Sequence, residues 1–161
     1  MGSDTNIDLL DLSARCYNLE TLLLNGLWIN SWPNLAHSWS SLSELILIDM
    51  PSSPFENVKL QLPKLRHFGL SAHSAHIRLV LPDMTQCAQL EKVWLGPGQF
   101  AFTNSPMDNL PRGLKEFWLM GGRFYDLEDD MILSYSEAQD MMDQLEDYME
   151  DCEIWADDYQ D

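Results

Sequence analysis

Leu19-Glu20-Thr21-Leu22-Leu23-Leu24 is followed by Leu42-Ser43-Glu44-Leu45-Ile46-Leu47 at a step of 23 residues. Three further copies, Leu65-Arg66-His67-Phe68-Gly69-Leu70, Leu90-Glu91-Lys92-Val93-Trp94-Leu95 and Leu114-Lys115-Glu116-Phe117-Trp118-Leu119, come at steps of 23, 25 and 24. All fifteen first, fourth and sixth positions are large and apolar in a chain that is 45% hydrophobic. Chance would produce that about once in a hundred thousand. Side chains alternate along a strand, so Leu22 and Leu24 point inward while Thr21, Leu23 and Asn25 point outward. One copy has nothing to bury its ladder against. Stacked copies do, and each fully buried Leu or Phe then contributes ~1.5 to 3 kcal/mol, so folding is collective.

The spacing and the L-x-x-L-x-L pattern resemble leucine-rich repeats, which carry one short parallel strand per repeat of 20 to 29 residues. Cys16-Tyr17-Asn18-Leu19-Glu20-Thr21-Leu22 and Cys87-Ala88-Gln89-Leu90-Glu91-Lys92-Val93 resemble the C-x-x-L-x-x-L phrase in the C-terminal part of fungal F-box proteins. The likeness covers residues 16 to 122. The usual Asn or Cys after the strand is replaced by Leu27, Met50, His73, Gly98 and Gly122. The F-box, a ~40-residue helical module, has no counterpart ahead of the first copy.

The resemblance implies an α/β leucine-rich-repeat solenoid over residues 1–125, of about five repeats, with a parallel sheet on its concave face. Residues 126–161 form an acidic C-terminal segment, either a capping helix or a partly disordered tail. The implied role is a protein-binding module and not an enzyme, holding a substrate for ubiquitin ligation as F-box leucine-rich-repeat proteins do. A start inside a repeat also fits a fragment without independent function.

Between the ladder segments the pattern is mixed. Residues 27–41, with Trp28, Trp32, Leu35 and Trp39, suit a helical turn or two within the limits set by Pro33. Residues 77–81 alternate and read as extended chain. Residues 5–17 read as an amphipathic helix, with Thr5 and Asp8 as a capping box and Leu9, Leu12 and Cys16 on one face. Gly96-Pro97-Gly98 and Gly121-Gly122 read as turns.

Alternation puts three columns on the outer face of the sheet. The first is Thr21, Glu44, His67, Lys92 and Glu116; the second Leu23, Ile46, Gly69, Trp94 and Trp118; the third Asn25, Ile48, Ser71, Gly96 and Met120. Leu23, Ile46, Trp94 and Trp118 would make an apolar stripe of the kind that marks interaction surfaces, with the tryptophans as anchors. Glu44, His67, Lys92 and Glu116 would set its polarity. The alternative is that the C-terminal segment folds over both tryptophans as a cap.

The charge is uneven. Of the 26 acidic residues, 15 lie in residues 126–161, which hold no Lys or Arg; the first 125 residues, with 11 acids and 9 bases, are close to balanced. Nucleic acid is a poor partner for a chain without clustered Lys and Arg. Met131, Tyr135, Ala138, Met142, Leu145, Met149 and Cys152 recur at steps of four and three, a one-sided helical stripe starting near Ser136 and opposite Asp140, Asp143, Asp147 and Glu150. Residues after Asp151 read as frayed. The rival functional reading resembles acidic leucine-rich-repeat proteins of the nucleus, which bind basic partners such as histones through the tail.

Three cysteines at wide spacing fit free thiols in a reducing compartment; the opening residues do not read as a leader and no apolar run approaches the ~18 residues a membrane span needs, so secretion is not expected. The expected location is intracellular, cytoplasmic or nuclear, without membrane contact. His73 and His76 lack the companions a zinc site needs. Asp126, Glu128, Asp130 and Glu137 imitate a calcium loop, but Met131 stands where Gly is required. No metal or cofactor is expected.

Overall fold

The computed structural model describes residues 6–34, 38–103, 105–149 and 151–157. In chain order the elements are α1 (Leu9–Arg15), β1 (Thr21–Asn25), β2 (Glu44–Met50), β3 (His67–Ala72), β4 (Arg78–Val80), β5 (Lys92–Leu95) and β6 (Gly98–Ala101). They continue with α2 (Pro106–Asn109), β7 (Glu116–Leu119), β8 (Gly122–Asp126), β9 (Met131–Ile132), α3 (Tyr135–Tyr148) and β10 (Glu153–Ala156).

Each L-x-x-L-x-L copy supplies one strand of a six-stranded parallel sheet ordered β1-β2-β3-β5-β7-β10. Leu22, Leu45, Phe68, Val93 and Phe117 are register partners in one inward row, and Leu24, Leu47, Leu70, Leu95 and Leu119 in the next. The chain thus winds as a β-solenoid, its five ladder strands one turn apart. The first ladder leucine turns the chain into the strand: Leu42, Leu65, Leu90 and Leu114 are buried and each donates its backbone N–H three residues back.

The later coils bend straight into a second sheet, β4-β6-β8-β9, in which β9 alone runs antiparallel. The expected extended stretch at 77–81 contains β4. Gly98 and Gly122, read from sequence as turn residues, are the first residues of β6 and β8 and pair with each other. The corners are shorter, at Gly96–Pro97 and at Met120–Gly121, where Gly121 has a φ of +74° that only glycine adopts without strain. A Cβ on Gly122 would lie 2.6 Å from the Gly96 carbonyl oxygen and 2.7 Å from the Phe100 ring. Gly122→Ala is therefore expected to lower stability by about 2 kcal/mol, read as a lower urea midpoint at unchanged slope. Gly113→Ala is the control, because a Cβ there meets nothing within 4 Å.

A single hydrophobic cluster runs from Leu9 to Met149. Within it, Trp39, Trp32, Phe55 and Phe68 form a chain of ring contacts, and Trp39 donates its indole N–H to the Cys16 carbonyl at 3.1 Å. The helical turn expected in 27–41 is absent from the described residues there; Leu35 lies outside them. The segment is extended because neighbouring coils satisfy its backbone: Trp28 bridges Asn6, and the Trp32 N–H donates to the Pro54 carbonyl.

Helix α1 is shorter than the expected 5–17. Asp8 caps it by accepting from the N–H groups of Leu10 and Asp11, and the chain before the cap is taken up by the Asn6–Trp28 bridge. Thr5 lies outside the described residues. Helix α3 starts at Ser134, not Ser136, through a reciprocal capping box with Glu137. Its Ala138, Met142 and Leu145, with Met149 after it, enter the common core, while Asp140, Asp143 and Asp147 face solvent. Met131 and Tyr135 leave the stripe and are exposed, because the first belongs to β9 and the second to the opening turn of α3.

The expectation of fraying after Asp151 is overturned by β10, which pairs in parallel with β7 from Glu153 to Ala156. Helix α3 serves as the connection that returns the chain to the sheet, so β10 is a sixth ladder strand.

Candidate protein-binding surface

The outer face of the six-stranded sheet carries two of the three columns in register. Thr21, Glu44, His67, Lys92, Glu116 and Glu153 are successive partners, and so are Leu23, Ile46, Gly69, Trp94, Trp118 and Trp155. The third column breaks at β2, where the register shifts between Leu47 and Met50 around Asp49, which has a φ of +53°. Ser71, expected on the outer face, is buried instead, its hydroxyl accepting the Asp49 N–H at 3.2 Å. Gly96 is buried, while Asn25 is exposed and Ile48 and Met120 are half-buried.

The central column is a continuous apolar strip. Leu23 is 57% exposed and Trp155 is 52% exposed at its two ends, and Ile46, Trp94 and Trp118 between them are half-buried. Gly69 does not interrupt it: a Cβ there would meet the Ile46 side chain at 2.7 Å and the Trp94 ring at 3.2 Å. The far edge of the Trp94 ring similarly comes within 2.8 Å of where a Gly96 Cβ would stand. The two glycines thus leave the room that the Trp94 indole occupies on the sheet face.

The tryptophans are not roofed over by the C-terminal segment, as the capping alternative supposed. That segment extends the sheet sideways, and Trp155 continues the row by stacking on Trp118, with ring centres 5.6 Å apart and 26° between the rings. Trp155 and Glu153 were missed in the sequence because their copy begins with Asp151, not Leu, and lies 37 residues beyond the previous one. The signal was there in the likeness of Glu116-Phe117-Trp118-Leu119 to Glu153-Ile154-Trp155-Ala156.

Charge flanks the strip on one side. Glu44 meets His67 at 3.3 Å and Lys92 meets Glu116 at 3.1 Å. The Lys92 ammonium also lies 4.6 Å from the centre of the Trp118 ring, and the Trp118 N–H donates to Glu116 at 2.9 Å. The hydrogen bonds from Lys92 and then Trp118 hold the Glu116 carboxyl below its usual range. Just before the strands begin, Glu91 bridges Arg66 at 3.1 Å and Lys115 at 3.2 Å. These exposed pairs add little stability individually, but they fix which charges border the apolar strip.

Elsewhere the groups singled out for metal chemistry have other partners. Asp130 pairs with Arg78 at 3.0 Å and accepts the Tyr125 hydroxyl, Asp126 accepts the N–H groups of Glu128 and Asp129, and Glu137 caps α3. His73 and His76 sit in the bend and turn between β3 and β4. Among the described residues there is no cluster of three or more His, Cys, Asp or Glu able to hold a metal, and no helix long and apolar enough to cross a membrane. Burial pushes the Cys87 thiol up to about 11, away from the reactive thiolate.

Comparison with protein-family models, with curated proteins and with solved structures gave no match.

Proposed function

We propose that the chain is a protein-recognition module of the leucine-rich-repeat kind, which holds a protein partner on the outer face of the six-stranded sheet. The observation that carries this is the in-register strip Leu23, Ile46, Trp94, Trp118 beside the charged column Glu44, His67, Lys92, Glu116. A solvent-facing, partly exposed apolar row with aromatic anchors and a polar border has the anatomy of an interface. The resemblance to the repeat region of fungal F-box proteins supplies the finer reading, that the partner is a substrate presented for ubiquitin ligation in the cytoplasm or nucleus.

The test is affinity capture from an extract of the source cells, followed by titration of the captured protein, expressed alone, against purified variants. Trp94→Ala/Trp118→Ala is expected to weaken the interaction about a thousandfold, since each buried aromatic anchor contributes ~2 kcal/mol. Unchanged affinity in a double variant with native circular dichroism would remove the sheet face as the recognition surface.

The rival reading, that acidic α3 binds basic proteins, is favoured by the exposed Asp140, Asp143 and Asp147. Asp140→Asn/Asp143→Asn/Asp147→Asn separates the two, because it removes the helix's outer charge without touching the sheet.

A further inference from the structure

Two neighbouring strands carry the same pair of residues on the outer face: Glu116 and Trp118 on β7, Glu153 and Trp155 on β10, in register. In both, the carboxylate accepts the indole N–H, at 2.9 and 3.4 Å, so each ring is held beside a negative charge. On β7 a third member completes the group. Lys92, from the strand on one side, lies 3.1 Å from the Glu116 carboxylate and 4.6 Å from the centre of the Trp118 ring. The carboxylate and the π face attract the same positive charge.

On β10 no such partner is found among the described residues. The residue that stands to Glu153 as Lys92 stands to Glu116 is Glu116 itself, and residues 126–161 contain no Lys or Arg. Glu153 makes no ion pair among the described residues. Trp155 stacks on Trp118 and is still 52% exposed, and β10 has no strand on its other side among the described residues. The backbone groups along that edge can take another strand.

We propose that β10 receives an extended basic segment of a protein partner as a further strand, with a Lys or Arg of that segment over Trp155 and paired with Glu153. This rests on the reading of the sheet face as a protein-binding surface, and adds the partner's conformation and charge. Charge complementarity selects the partner: Asp151 and Asp157 are exposed on either side of β10, and the chain carries −17 overall. That field draws a basic segment in and repels acidic segments and nucleic acids.

The probe is a short fluorescent peptide of alternating Arg and Val, with Gln–Val and Glu–Val peptides of equal length beside it, titrated against the full chain by anisotropy at physiological salt. The Arg peptide is expected to bind best, Trp155→Ala to weaken it about tenfold, and Glu153→Gln, which keeps an acceptor for the indole N–H, about threefold. Asp140→Asn/Asp143→Asn removes more charge but lies on α3, and is expected to change binding by less than about twofold. Circular dichroism confirms that each variant is folded.

A loss that follows only the number of charges removed, wherever they lie, overturns the inference. Equal binding of the Arg and Gln peptides, abolished by Trp94→Ala/Trp118→Ala, also overturns it while leaving the protein-binding face standing. If no peptide responds to any variant of the face, and the captured partner is likewise indifferent to Trp94→Ala/Trp118→Ala, both fall together.

Discussion

Leu70→Asp is expected to unfold the entire stack of coils, not the central coil alone. Leu70 is fully buried in β3, with Leu47 on one side and Leu95 on the other as register partners. Removing such a leucine side chain costs ~2 to 5 kcal/mol, and a carboxylate in its place adds the penalty of an unpaired buried charge. Together these reach the ~5 to 15 kcal/mol that holds a typical domain together. Because the coils share one cluster of buried side chains, losing the middle separates the two ends from their packing partners. Far-ultraviolet circular dichroism and tryptophan fluorescence should both report a chain without a cooperative urea transition. Leu23→Asp, in β1 but on the exposed face, is the control and should shift the midpoint by no more than about 0.5 kcal/mol. Retention of a native transition by Leu70→Asp would show that the coils fold independently.

Deleting residues 126–161 is the second large effect, and it is expected to destroy the fold along with any binding. In the sequence this segment reads as an appendage whose removal could separate tail function from repeat function. In the structure Ala138, Met142, Leu145 and Met149 pack into the common core, and β10 covers the outer edge of β7. The two methionines and the leucine alone contribute about 6 kcal/mol by their burial, before the newly exposed surface of β7 is counted. The truncated chain should be aggregated or should melt far below the intact one in a thermal scan. If it kept the intact chain's melting temperature, α3 would have to be a dispensable attachment.

These two outcomes mark where sequence reading was strong and where it failed. The ladder was legible because strand periodicity is local: residues two apart share a face whatever the chain does elsewhere, and the same apolar pattern returning every 23 to 25 residues has few other uses. The outward placement of Leu23, Ile46, Trp94 and Trp118 followed from the same rule. The connections were less legible. Residues 27–34 and 38–41 are not helical despite three tryptophans at suggestive intervals, because their backbone partners come from residues such as Asn6 and Pro54, which only the winding of the chain brings near. Ser71 turned inward because a shift in one strand at Asp49 altered the register with the next. Nothing local to Ser71 announces that.

The sequence by itself determined the parallel ladder of the β-solenoid, the side chains that fill it, and the aromatic strip with its charged border. Each depends on alternation within a few residues, and on apolar side chains that are stable only when stacked. The tertiary structure decided that the acidic C-terminal segment belongs to the same core, and that Glu153 and Trp155 complete the strip at an open edge. Those facts depend on α3 spanning 14 residues to return the chain beside β7, a closure over distance that no local period encodes.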